Sequence, residues 1–239
     1  MVLRRAWRGP VRAQAVTRLR ARKKPVVVIA GEDRHDRRLL RTLLEEFCPD
    51  VRGRLVEIRD SVRLRAASGE RLAERARTLV RKAKARAERE GARLACVFVH
   101  EDLDRPADDD YFRLRQRVQD ALCQAAGTAH YVLAAAEVEA WLLLFPDALA
   151  SFNSSWLVPR QYRGRDTALL PKPKEILRSR LSRRGSGVRY RESDAPEIIR
   201  EAIRLGTIHK PTGTNRSWTA LRDAAVECCR SHVRKDSVV

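Results

Sequence analysis

Residues 94–104, LACVFVHEDLD, constrain this chain more than any other stretch. An apolar, partly β-branched run that breaks directly into His100, Glu101, Asp102 and Asp104 predicts a buried parallel strand over 94–99 that ends in acid. In an open α/β sheet the C-terminal ends of the strands open onto the ligand crevice. Carboxylates placed there face a substrate and can share a cation.

The neighbouring sequence supports such a sheet. Pro25 precedes a short buried strand over 26–30, and the turn Gly31-Glu32-Asp33-Arg34-His35-Asp36 leads into a helix with Leu39, Leu40, Leu43, Leu44 and Phe47 on one face, stopped by Pro49. A second strand is expected over 54–60, and a long charged helix over 69–90 that Gly91 ends. After the central strand come a helix carrying Phe112, Leu114, Val118 and Leu122, then a fourth strand over 130–136 that runs into EVEAWLLLF. This β-α alternation with short connections predicts an α/β fold, a Rossmann-like and mostly parallel sheet flanked by helices.

Three segments are expected. Residues 1–24 hold nine basic side chains and no acid, which fits a flexible basic arm. Residues 25–152 form the α/β domain. Residues 153–239, rich in Ser, Pro, Arg and Gly, predict a small helical appendage packed on it, with helices near 173–181, after Ser193 or Asp194, and over 217–230.

The 239 residues carry 50 Lys+Arg against 31 Asp+Glu, a formal charge of +19, which predicts attraction to polyanions and hence a nucleic-acid partner. An arginine- and alanine-rich composition is the plainer source of part of that excess. No apolar run reaches the ~18 residues of a membrane span, so no membrane partner is expected. Cys48, Cys96, Cys123, Cys228 and Cys229 show no paired zinc-type spacing and read as reduced core residues of a cytoplasmic protein. No phosphate-binding lysine loop or dinucleotide glycine fingerprint is present, which argues against an intrinsic ATPase or a nicotinamide enzyme.

Acids recur at the ends of three strands: Glu32, Asp33 and Asp36; Glu101, Asp102 and Asp104; Glu137 and Glu139. In a parallel sheet these ends share one edge, and four to six converging carboxylates must recruit cations; hard oxygen donors suit Mg2+ or Mn2+. Acids also cap helices, which is an equal account of Asp36 and the preferred one for Asp108, Asp109 and Asp110. His100 reads as a strand-end packing residue beside the acids. A receiver-type phosphoacceptor matches poorly, because the fourth strand ends in Glu137 rather than Thr or Ser.

The turn GEDRHDRRLLRTLL, the Asp102-Leu-Asp104 loop and the segment EVEAWLL together resemble Toprim-type domains over about residues 25–150. The same motifs resemble more specifically small bacterial Toprim-like proteins, some associated with mobile-element or defence loci, related to the overcoming-lysogenization-defect nucleases. The resemblance implies a metal-dependent nuclease. Glu32 takes the place of the first-motif glutamate, Asp102 and Asp104 that of the metal-binding DxD, and Glu137 and Glu139 that of the acidic motif after the next strand. It therefore assigns metal ligation to Glu32, Asp102, Asp104 and Glu137, and proton transfer to Glu32 or Glu139. Toprim domains usually read Glu-Gly where this chain reads Gly31-Glu32. That inversion leaves a binding-only subunit working with a separate ATPase or nuclease as the alternative.

In the appendage, Arg160, Arg163, Arg165, Lys172, Lys174 and Lys210 lie near Trp156, Tyr162 and Trp218. Basic groups interleaved with aromatics suit a nucleic-acid strand, with charge on phosphates and rings on bases. Aromatics in a small core are the equally good account.

Overall fold

A computed structural model describes residues 23–181 and 188–234. The expected basic arm, but for its last two residues, and the RRGSG turn lie outside these. The described chain runs β1 (Pro25–Ala30), α1 (Arg34–Phe47), β2 (Leu55–Glu57), α2 (Gly69–Arg89), β3 (Arg93–Asp102), α3 (Asp109–Ala125) and β4 (Ala129–Ala134). Then follow α4 (Glu139–Leu142), α5 (Pro146–Phe152), α6 (Pro173–Arg180), α7 (Ala195–Arg204), α8 (Arg216–Cys228) and a π turn at Cys229–Val233.

The four strands lie in the order β2-β1-β3-β4, and every pairing is parallel. With helices on both faces this is the expected Rossmann-like α/β fold. Period-two alternation divides the core into two layers. Val28, Ala30, Val97, Val99, Tyr131 and Leu133 pack under α2 and α3, whereas Val27, Ile29, Cys96, Phe98, Val132 and Ala134 pack under α1 and the helices after β4. Helix α1 fits its place because Asp33 and Asp36 close a capping box at its start and its leucines share one buried face. Among the described residues no helix is long and apolar enough to cross a membrane.

The chain beyond 152 does more than dock at the crevice. Ile176, Leu177, Ile198, Ile199, Trp218 and Leu221 belong to the same buried cluster as α1 and one face of the sheet. Trp218 meets Phe47, Trp141 and Phe145 edge-on at ring separations of 5.6, 5.9 and 5.1 Å. Trp156 and Trp218 are 2% and 1% exposed, so they are core residues and neither presents a face to a base. Helices α2 and α3 cover the other face, so one side of a parallel sheet that must be buried on both depends on these C-terminal helices.

The cysteine expectation needs correction. Cys48 is joined to Cys229 and Cys96 to Cys228, with Cα separations of 5.4 and 6.5 Å, and only Cys123, which is exposed, is free. The partners are 181 and 132 residues apart, so no local spacing announces them. Packing of α8 against β4 and α1, and of the π turn after it against β3, brings them together.

Candidate acidic site at the sheet edge

Strand β3 runs on to Asp102, three residues beyond its expected end. The extension matters because side chains alternate. His100 and Asp102 fall on the face shared with Phe98, and Glu101 falls on the other. Glu101, 0% exposed, accepts from the backbone N–H of Leu64 (3.0 Å) and Arg65 (3.1 Å) and from the Tyr131 hydroxyl (2.9 Å). It ties the β2–α2 loop to the sheet and is spent on structure.

Glu32, Asp36, Asp102, Asp104 and Glu139 line one pocket of about 160 Å³, together with His35, Lys174 and Glu192. The strand ends position them: Glu32 follows β1, Asp102 closes β3, and Glu139 opens α4 after β4. The loops after β3 and β4 are laced by the N–H of Asp104 donating to the Ala136 carbonyl (2.8 Å) and that of Ala136 donating to the Arg105 carbonyl (2.9 Å). Asp104 and Ala136 both sit in the left-handed region, at φ 62° and 61°, a conformation costing roughly 1 kcal/mol or more for a non-glycine residue and often kept at functional sites.

The electrostatics are those of crowded acids in a dry place. Burial, and then the charges of Asp36, Glu139 and Asp104, push the Asp102 carboxyl well above its usual range against the pull of His100. Its Oδ1 accepts from the Val138 N–H at 3.1 Å. Burial raises Glu139 to about 7 despite Lys174. One of its oxygens accepts from the Tyr190 hydroxyl at 3.1 Å; the other, Oε2, is buried with no hydrogen-bond partner. Glu32 is raised by burial, with Arg65 opposing. His100, wholly buried, stands 3.7 Å from both Asp36 and Asp102 and edge-on to Trp141. Burial opposes its charge, but Asp36 and then Asp102 and Glu32 outweigh that and hold it up at about 9.

Two cations pair with these acids: Lys174 lines the pocket itself, and Arg65 lines an adjoining one that shares Glu32 and Asp104 with it. Arg65 pairs with Asp104, donates to the Leu103 carbonyl at 3.0 Å, and lies 4.0 Å from Glu32. The signal for it was available: β2 ends at the same edge, and the loop after it carries Arg59, Arg63 and Arg65. Lys174 stands 3.9 Å from both Glu137 and Glu139 and 3.4 Å from Glu192. It therefore serves the acids from within, while Arg163 donates to the Val158 carbonyl (2.7 Å) and Lys172 pairs with Glu175. Arg160 and Lys210 are exposed, and Arg165 is also at the surface. Glu137 turns aside, accepting from the Lys174 N–H at 3.2 Å near the start of α6. Asp108 caps α3, as expected.

The Gly31-Glu32 inversion does not turn the glutamate away, since Glu32 lines the same pocket as Asp102 and Asp104. The donor set fits a hard divalent cation: all oxygen, partly desolvated, with one buried carboxylate oxygen lacking a partner. Yet among the described residues the only sets of three ligand atoms within 4.8 Å of one another contain cysteine, so the acids ring the pocket without closing on one point. Set against family models, curated proteins and solved structures, the chain has no significant match.

Proposed function

We propose that this chain is a Toprim-like, Mg2+- or Mn2+-dependent phosphodiesterase acting on nucleic acid in the cytoplasm, with a mobile-element or defence role as the context the resemblance favours. The observation that carries this reading is the meeting of Glu32, Asp102, Asp104 and Glu139, from three separate strand ends, in one pocket with an unpartnered carboxylate oxygen. The charge of +19 supports the substrate class.

Asp102, Asp104 and Glu139 or Glu32 would hold the ion, with Asp36 beside them. When bound, it supplies Lewis-acid polarisation of a phosphoryl oxygen and a more acidic water. The chain's own groups supply the rest. Glu139, at about 7, sits where a carboxylate can take a proton at neutral pH. Glu32, also raised, can return one to the leaving oxygen. Arg65 and Lys174 neutralise acids in the free protein and can turn to phosphate oxygens when a phosphodiester enters. His100 holds Asp36 and Asp102 apart as a buried positive spacer.

A second reading has its own support. Arg65 and Lys174 already pair with these acids, and among the described residues no three carboxylates converge, which suits a non-catalytic subunit that binds nucleic acid or protein beside a separate ATPase or nuclease. The deciding experiment titrates Mn2+ or Mg2+ into the wild type and an Asp102→Ala/Asp104→Ala variant, then assays cleavage of labelled single- and double-stranded DNA and RNA. Metal-dependent cleavage that the variant loses is expected. If neither protein binds metal or cuts while both keep salt-sensitive nucleic-acid binding, the second reading replaces the first.

A further inference from the structure

Cys96 shares the β3 face of His100 and Asp102 but precedes Asp102 by six residues, about 20 Å at the rise of a strand, toward the opposite end of the sheet. Beside it on β4 stands His130, paired with Phe98 in register and stacked on its ring at 4.7 Å. From the other end of the chain α8 delivers Cys228. One ligand atom from each of Cys96, His130 and Cys228 lies within 4.8 Å of the others. The two cysteines are 0% and 2% exposed, and the Nε2 of His130 is buried without a hydrogen-bond partner.

A buried imidazole nitrogen with nothing to bond is costly, and neither core packing nor the acidic pocket accounts for it. Its neighbours are the two softest donors available in a protein. Burial keeps the ring neutral, with its pKa pushed down to about 4, so that a nitrogen lone pair is available for a metal.

We propose that Cys96, His130 and Cys228 form a thiolate–imidazole site for a divalent cation of the zinc class, occupied when the Cys96–Cys228 disulfide is reduced. An external dithiol or phosphine supplies two electrons; the S–S bond breaks and two protons make two thiols. The cation then displaces both protons, and two thiolates plus a neutral imidazole balance its charge. That balance suits an apolar core, whereas hard Mg2+ belongs with the carboxylates at the other end of β3. Three protein ligands leave a tetrahedral ion one position for water. The bound ion would pin α8 to β3 and β4 in a reducing compartment, as the disulfide does in an oxidising one.

The test uses the whole chain, reduced with a phosphine and desalted without oxygen. It is titrated with Co2+, whose thiolate-to-metal charge-transfer absorption is not produced by oxygen ligands, and then with Zn2+ to displace it. Wild type should develop the absorption, and so should Cys123→Ser and Asp102→Ala/Asp104→Ala. Cys96→Ser and His130→Gln should lose it. His130→Gln retains every thiol, so it decides the matter if Cys96→Ser fails to fold. Absence of the absorption in the reduced wild type overturns the proposal. So does an absorption undiminished in His130→Gln, which would place the ion on Cys48, Asp50 and Cys229, the other close set.

Discussion

Glu101 and Asp102 are consecutive, both close the same strand, and they lead opposite lives. On the α2/α3 side, Glu101 accepts three hydrogen bonds and has no access to solvent. On the side of α1 and the C-terminal helices, Asp102 faces a pocket with other acids and accepts one backbone hydrogen bond. A buried carboxylate whose partners are all supplied by the fold is part of the scaffold. One whose neighbours repel it is held there by the rest of the structure and is available for other chemistry. The two sides of the sheet should therefore respond differently to perturbation.

The largest effect is expected from Glu101→Ala, which leaves two backbone N–H groups and a tyrosine hydroxyl without an acceptor; urea unfolding should show a loss of about 4 kcal/mol. A loss below about 1 kcal/mol would remove the structural role assigned to Glu101.

The same sealed side should give way in alkali. Tyr111, 1% exposed, donates to the Leu133 carbonyl at 2.9 Å, and burial raises its pKa to about 12 against an ordinary value of 10. Below pH 10 the phenol is protonated in both states and its contribution is whole. Between about 10 and 12 the unfolded chain ionises first, so stability falls as pH rises, by about 3 kcal/mol in all. Tyr111→Phe should flatten that limb of the stability profile. An unchanged slope would mean that other tyrosines carry it.

Asp102→Asn, on the open side, should do the reverse of Glu101→Ala. Removing one of several mutually repelling charges is expected to leave the unfolding midpoint unchanged or raise stability by about 1 kcal/mol, while calorimetric Mn2+ binding is lost. Destabilisation comparable to that of Glu101→Ala would erase the distinction between the two acids.

The smallest effect belongs to the exposed basic residues. Arg160→Ala/Lys210→Ala should change stability by less than about 0.5 kcal/mol and lower the salt slope of nucleic-acid binding by roughly two if both touch phosphate. An unchanged slope would move the phosphate track elsewhere, with Arg63 and Arg65 of the β2–α2 loop as the next residues to test.

Much of the fold was legible because its signals are local. The apolar run before His100, the leucine stripe of α1, Pro49 and Gly91 as stops, and the order of strands and helices each depend on a few neighbouring residues. The pocket acids at 32, 102, 104 and 139 were legible for a topological reason: parallel strands present their C-terminal ends on one edge. The bulk of the misreadings involve residues brought together from far apart. Trp156 and Trp218 were open to a base-stacking role because nothing near them in sequence says that helices after 152 close the sheet. Lys174 falls in sequence among basic residues suited to a phosphate chain, yet it points inward to Glu139. Arg65 shares its loop with Arg59 and Arg63, and spacing does not say which of them meets the acids. The cysteine pairs span most of the chain.

The sequence by itself determined the secondary-structure order, the parallel sheet and the edge at which its acids meet, because periodicity and strand polarity are properties of short segments. The tertiary structure decided which acid of each cluster is scaffold and which is open, where the countercations stand, and that sulfur and imidazole gather at the far end of β3. Those outcomes depend on which face of a strand a residue takes and on what a distant helix lays against it. Neither is encoded in the spacing of neighbouring residues.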